Sequence, residues 1–214
     1  MFGPLLDVTL RAAGGPGKEG GMIHVCSLAR LDETIATTGA RHVISLLAHD
    51  ANLTRPATIA PENHLWLQLH DISVPQDGFV AAQIEHVEQL IAFVERWPRE
   101  SALVIHCYAG VSRSSAAAFV AACALSPQSD EQAVAIALRR ASATATPNIR
   151  IVAIADQLLA REGRMVTAVQ AIGAGVVAPE AKPFRLDLSA INAISSRAAY
   201  ETPQEHVSMR FTLL

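Results

Sequence analysis

Between residues 22 and 172, short apolar blocks take turns with longer stretches in which apolar residues recur every three or four positions. The first pattern predicts buried strands and the second predicts amphipathic helices. Met22 to Leu28, His42 to Leu47 and Ala102 to Ile105 are short apolar runs, and His64 to Leu69 sets Leu65, Leu67 and Leu69 on one side of a strand. Ala81 to Trp97 reads as a helix, with Ile84, Val87, Leu90, Ile91 and Val94 on one face and Pro98 as its stop. Further helices are expected over Leu31 to Thr38, ended by Gly39, and from about Arg113 to Leu125. Others follow over Asp130 to Ala141, capped by Ser129 or Asp130, over Ile149 to Ala160, capped by Asn148, and over Met165 to Ile172.

Strands alternating with helices predict an α/β fold, with a central, mainly parallel sheet of four or five strands flanked by helices. Residues 1–21, with Gly14-Gly15-Pro16-Gly17 and Gly20-Gly21, read as a flexible leader. Residues 22–162 form the expected domain. Residues 163–214 are expected as a C-terminal extension packed on that domain, turning to glycine, proline and mixed polar residues from Ala174.

Composition narrows the function classes. Half of the residues are hydrophobic and 17% are charged, a globular balance. The net charge of -3 supplies no basic field for nucleic acid or an anionic membrane, and no apolar run reaches the ~20 residues of a membrane span. Cys26, Cys107 and Cys123 are odd in number and lack CxxC spacing, which predicts neither a disulfide framework nor a zinc site. The histidines show no metal spacing. A cytoplasmic setting suits a free thiol, and no signal-peptide pattern opens the chain.

The chemistry concentrates in Leu103-Val104-Ile105-His106-Cys107-Tyr108-Ala109-Gly110-Val111-Ser112-Arg113-Ser114-Ser115. A strand ends, seven residues form a loop, and a helix begins. The amides of Tyr108, Ala109, Gly110, Val111, Ser112 and Arg113, together with a helix N-terminus, make a cradle for a tetrahedral dianion. Arg113 can hold two of its oxygens with a planar fork. The same donors favour the thiolate of Cys107, the form that attacks phosphorus. Ser114 can donate to the sulfur as it leaves, and His106 supports the loop. A leaving oxygen needs a proton from a carboxylic acid. Asp71, at the end of a strand, is favoured, and Asp77 in the same stretch is the competitor. Cys26 and Cys123 read as buried small hydrophobes.

His106-Cys107, five residues, then Arg113-Ser114 resembles the HCxxGxxR[ST] signature of the protein tyrosine phosphatase superfamily, and its finer form resembles the dual-specificity branch. The whole chain is also similar to a group of bacterial proteins classed as predicted tyrosine phosphatases. The resemblance implies the phosphotyrosine phosphatase II type of fold, with Cys107 as nucleophile, Arg113 as phosphate ligand and an aspartate some thirty-odd residues upstream as acid. Asp71 lies thirty-six residues before Cys107 and Asp77 thirty, so the interval admits both. It implies hydrolysis of phosphotyrosine in a protein or peptide, with phosphoserine and phosphothreonine open, and no metal or organic cofactor. A phosphorylated metabolite or phosphoinositide substrate, a phosphate-binding module without turnover, and a rhodanese-like sulfurtransferase are the competing readings.

Overall fold

The computed structural model describes residues 21–51 and 53–191. The expected leader, save Gly21, and the end of the C-terminal extension lie outside them. Five strands form one sheet: β1 (Met22–Ser27), β2 (His42–Leu47), β3 (His64–Gln68), β4 (Leu103–Cys107) and β5 (Phe184–Asp187). Their order is β3-β2-β4-β1-β5, parallel except for β5, which runs antiparallel to β1.

The two faces of the sheet are covered unequally. α1 (Leu31–Thr38) covers one face, where Leu31 and Ile35 meet Cys26, Val43 and Val104. α2 (Ile84–Arg96), α3 (Arg113–Leu125), α4 (Glu131–Ala141), α5 (Ile149–Leu158) and α6 (Arg164–Ile172) build the larger core on the other. β4 is covered on both faces, which is why it reads as an unbroken apolar run. Its period of two points Leu103, Ile105 and Cys107 into the larger core, so Cys107 emerges on the face where α3 packs.

α3 is buried from Arg113 to Cys123. Ala116, Ala117, Ala118, Ala121 and Ala122 let it lie close against the sheet and its neighbouring helices, and Phe119 fills the remaining space. α2 begins at Ile84, three residues later than its apolar period predicts. Gln83 and His86 close a reciprocal cap there, with the Gln83 amide donating to His86 Nδ1 at 3.0 Å. β4 extends two residues beyond the expected Ile105, because its ladder with β1 runs on to Ser27 opposite Cys107. β5 is the element that the sequence pattern leaves undetected. Four residues carry it, burying Phe184 and Leu186 against β1 with Arg185 exposed.

Candidate active site

β4 delivers Cys107 and α3 begins at Arg113, so five residues close the turn between them. The turn lies on the end of β1. Gly110 has φ +75°, and a Cβ there would stand 2.9 Å from the Cys26 carbonyl carbon and the Ser27 nitrogen. Glycine alone fits both the conformation and the contact.

The loop's carbonyls are tied down from outside. Tyr108 O accepts from Leu28 N at 3.2 Å, Ala109 O from Ala181 N at 2.9 Å, Val111 O from Thr146 N at 3.0 Å, and Ser112 O from Ala116 N at 3.0 Å and Asn148 N at 3.3 Å. In a trans peptide the C=O and the following N–H point in opposite directions. Drawing four carbonyls outward therefore turns the amides of Ala109, Gly110, Ser112 and Arg113 inward. The Gly110 amide is seen to do so, donating to Cys107 Sγ at 3.3 Å. Ser112 is the N-cap residue of α3 but makes no side-chain cap, which leaves the first amides of the helix for an anion.

Cys107 is 1% exposed, and its sulfur also lies 3.2 Å from Ser114 Oγ. Arg113 is buried, and its Nη1 donates to Leu69 O at 3.0 Å, which fixes the plane of the fork. Its Nε is buried with no hydrogen-bond partner among the described residues, an orphan donor that an oxyanion would satisfy. Tyr108 is the one exposed side chain of the loop, at 71%.

Of the two aspartates, Asp71 meets this cradle. Its Oδ1 accepts from Ser112 Oγ at 2.7 Å and from Asn148 Nδ2 at 2.8 Å, while Oδ2 lies 3.8 Å from Arg113 Nε. Oδ2 is thus the oxygen with no hydrogen bond among the described residues. Asp77, in the same loop, is exposed and makes no hydrogen bond or ion pair among the described residues. The loop is closed at its neck, where His70 N donates to Val80 O at 2.7 Å and Val80 N donates to His70 Nδ1 at 2.9 Å. Phe79 packs edge-on to the His70 ring at 5.1 Å.

Asn148 is the site residue that sequence reasoning assigned only to a helix cap. Its Oδ1 does cap α5, accepting from the amides of Arg150 and Ile151. Its Nδ2 holds Asp71 and its backbone amide holds Ser112. A cap uses only the side-chain oxygen, and the spare amide of an asparagine cap was the one available signal.

His106 lies on the opposite face of β4 from the sulfur. Its Nε2 meets Ser45 Oγ at 2.6 Å, and Ser45 Oγ in turn meets His64 Nε2 at 2.8 Å. Burial, with His64 and Arg113 adding to it, lowers the His106 imidazole to about 4. At neutral pH it is an uncharged side chain, bonded to Ser45 on the face away from the sulfur. Burial pushes the Cys26 thiol up to about 11, and the Cys123 thiol well above its ordinary value. Both stay protonated and inert at neutral pH.

No protein-family model matches the sequence, and no curated protein does. Solved structures do match. The crystal structure of the Cydia Pomonella PTP-2 phosphatase is similar at 19% identity and a TM-score of 0.51, over 63% of this chain and 84% of that one. That of human DUSP28 is similar at 18% identity and a TM-score of 0.50, over 65% of this chain and 89% of that one. The α/β fold of this chain is the one those phosphatases have.

Proposed function

We propose that a chain with this fold and this cradle is a cysteine-dependent phosphatase that hydrolyses phosphotyrosine monoesters through a phosphocysteine intermediate. The observation that carries the reading is the sulfur of Cys107, held by Gly110 N and Ser114 Oγ beneath inward-turned amides and beside an orphan arginine donor.

In the first step Cys107 Sγ attacks phosphorus, the S–P bond forms, and the bond to the leaving oxygen breaks. The electron pair stays on that oxygen, and Asp71 Oδ2 delivers its proton there. Arg113 and the loop amides carry the charge spread over the equatorial oxygens. In the second step Asp71, now a carboxylate, takes a proton from water as the water oxygen attacks phosphorus. The S–P bond breaks and its pair returns to sulfur, where the Ser114 hydroxyl and the Gly110 amide receive it. Thiolate, guanidinium and carboxyl complete the reaction without a cofactor.

An aryl ester is supported by the surroundings of the cradle. Tyr108 and Phe79 are 71% and 52% exposed, on the cradle and on the Asp71 loop, with Val74 and Val80 also exposed on the latter. These side chains suit an aromatic ring and apolar neighbours. Hydrolysis of p-nitrophenyl phosphate in excess EDTA, absent in Cys107→Ser, is expected, as is a higher kcat/KM for phosphotyrosine than for phosphoserine peptides. Full activity in Cys107→Ser ends the reading. Phosphate binding without turnover at any pH reduces the protein to a binding module.

A further inference from the structure

Residues 173–181, between α6 and β5, cross behind the anion loop. Arg139 Nη2 donates to Gly173 O at 2.8 Å, Gly175 N to Thr146 Oγ1 at 3.0 Å, and Val176 N to Ala143 O at 2.8 Å. At Gly175 the crossing is so close that a Cβ would stand 2.6 Å from the Thr144 carbonyl carbon and oxygen. Farther on, Glu180 Oε1 accepts from Ser27 Oγ at 2.6 Å and lies 3.8 Å from Arg30 Nε. Ser27 is 1% exposed and is the residue of β1 paired in register with Cys107.

One bond of this segment reaches the chemistry in two steps. Ala181 N donates to Ala109 O at 2.9 Å, and the same peptide group carries the Gly110 amide that donates to Cys107 Sγ at 3.3 Å. A hydrogen bond to the carbonyl fixes the plane of that amide and polarises it toward the sulfur. A second route runs through Thr146, held by Gly175, whose own amide holds Val111 O.

We propose that residues 173–181 form a positioning strap for the anion loop, with Glu180 anchoring it to Ser27 and Ala181 aiming the Gly110 amide. The segment after α6 is then a working part of the site. This rests on the phosphatase reading for its measure of turnover, but its measure of anion binding does not. Glu180 and Ala181 touch no reacting atom. They act by fixing the groups that do, and a small displacement of such groups costs disproportionate rate.

The test uses the full chain with Glu180→Ala, Gly175→Ala, Ser27→Ala and the Ser27→Ala/Glu180→Ala pair. Inorganic phosphate affinity is measured by calorimetry, kcat and KM on p-nitrophenyl phosphate, and folding by urea titration. Glu180→Ala and Gly175→Ala are expected to weaken phosphate binding about fivefold and lower kcat about tenfold while the protein stays folded at assay temperature. Glu180→Gln keeps an acceptor for Ser27 and is expected to restore most of both. The paired variant is expected to lose no more than the worse single one. Wild-type phosphate affinity in folded Glu180→Ala and Gly175→Ala overturns the strap, as does a loss that only follows the unfolded fraction. If the parent chain binds phosphate but hydrolyses nothing, the phosphatase reading falls, and weakened phosphate binding in these variants still upholds the strap.

Discussion

The loop of residues 107–113 and the loop of residues 70–80 meet at the cradle and are built in opposite ways. The first is buried apart from Tyr108 and its rim, its carbonyls are held by four other parts of the chain, and its glycine rests on β1. The second is exposed along residues 73–80, and among the described residues its ties to the rest of the site lie at its base: the His70–Val80 neck, Ser112, Asn148 and Arg113 at Asp71, and Asn148 at Ile72. A group that must stabilise charge at the moment it develops gains by being fixed beforehand. A group that must pass a proton also has to be placed, and Asp71 sits at the tied base of its loop, with the exposed tip beyond it. In the proposed reaction, the contrast suits the buried loop to electrostatics and Asp71, at the base of the exposed loop, to proton transfer.

Arg113→Lys is the sharpest attack on the buried side. Lysine keeps the charge and loses the fork, so a fall in kcat/KM of about a thousandfold is expected, with far less loss of folding stability. Steady-state kinetics beside urea titrations check it, and a loss below tenfold shows that point charge alone serves the cradle. Asp71→Asn attacks the exposed side. A hundredfold fall in kcat is expected on substrates with poor leaving groups, and a smaller one on p-nitrophenyl phosphate, whose leaving group needs less help. Asp77→Asn is expected to stay within twofold of the parent chain, and the reverse ranking of the two aspartates moves the acid to the loop's tip.

A last effect concerns His106 and is read as stability rather than rate. Its folded value of about 4 lies below the ordinary 6.5, so between those limits the unfolded chain binds a proton that the folded chain refuses. Its contribution is intact above pH 6.5 and is lost as the pH falls toward 4, by about 3 kcal/mol. Urea titrations at pH 7 and 4.5 should show most of that drop in the parent chain and a shallower one in His106→Asn. Equal drops remove His106 from the account.

The cradle was legible because its parts are contiguous. A strand, a loop with glycine, an arginine and a helix start occupy thirteen consecutive residues, and their spacing states the geometry directly. The placement of Asp71, rather than Asp77, beside the cradle was legible from its position just beyond a strand end. Asn148 and Glu180 were not legible, because their partners, Asp71 and Ser27, are distant in sequence and the pairing depends on where α5 and the strap are carried by the fold. β5 escaped for another reason. At an edge, a four-residue antiparallel strand needs only Phe184 and Leu186 to turn inward, and two apolar residues make no period.

α3 carries a further consequence. Thirteen residues span about 20 Å, its first, Arg113, stands at the cradle, and five buried alanines, with Phe119 and Val120 between them, line its length. Such a rod transmits displacement. Ala117 and Ala121 are fully buried, so an added methyl at either is expected to press on the packing around the rod. If the proposed chemistry holds, the cradle imposes its tolerance on small residues that never meet a substrate, and a survey of variants should find those alanines as intolerant of enlargement as the loop itself.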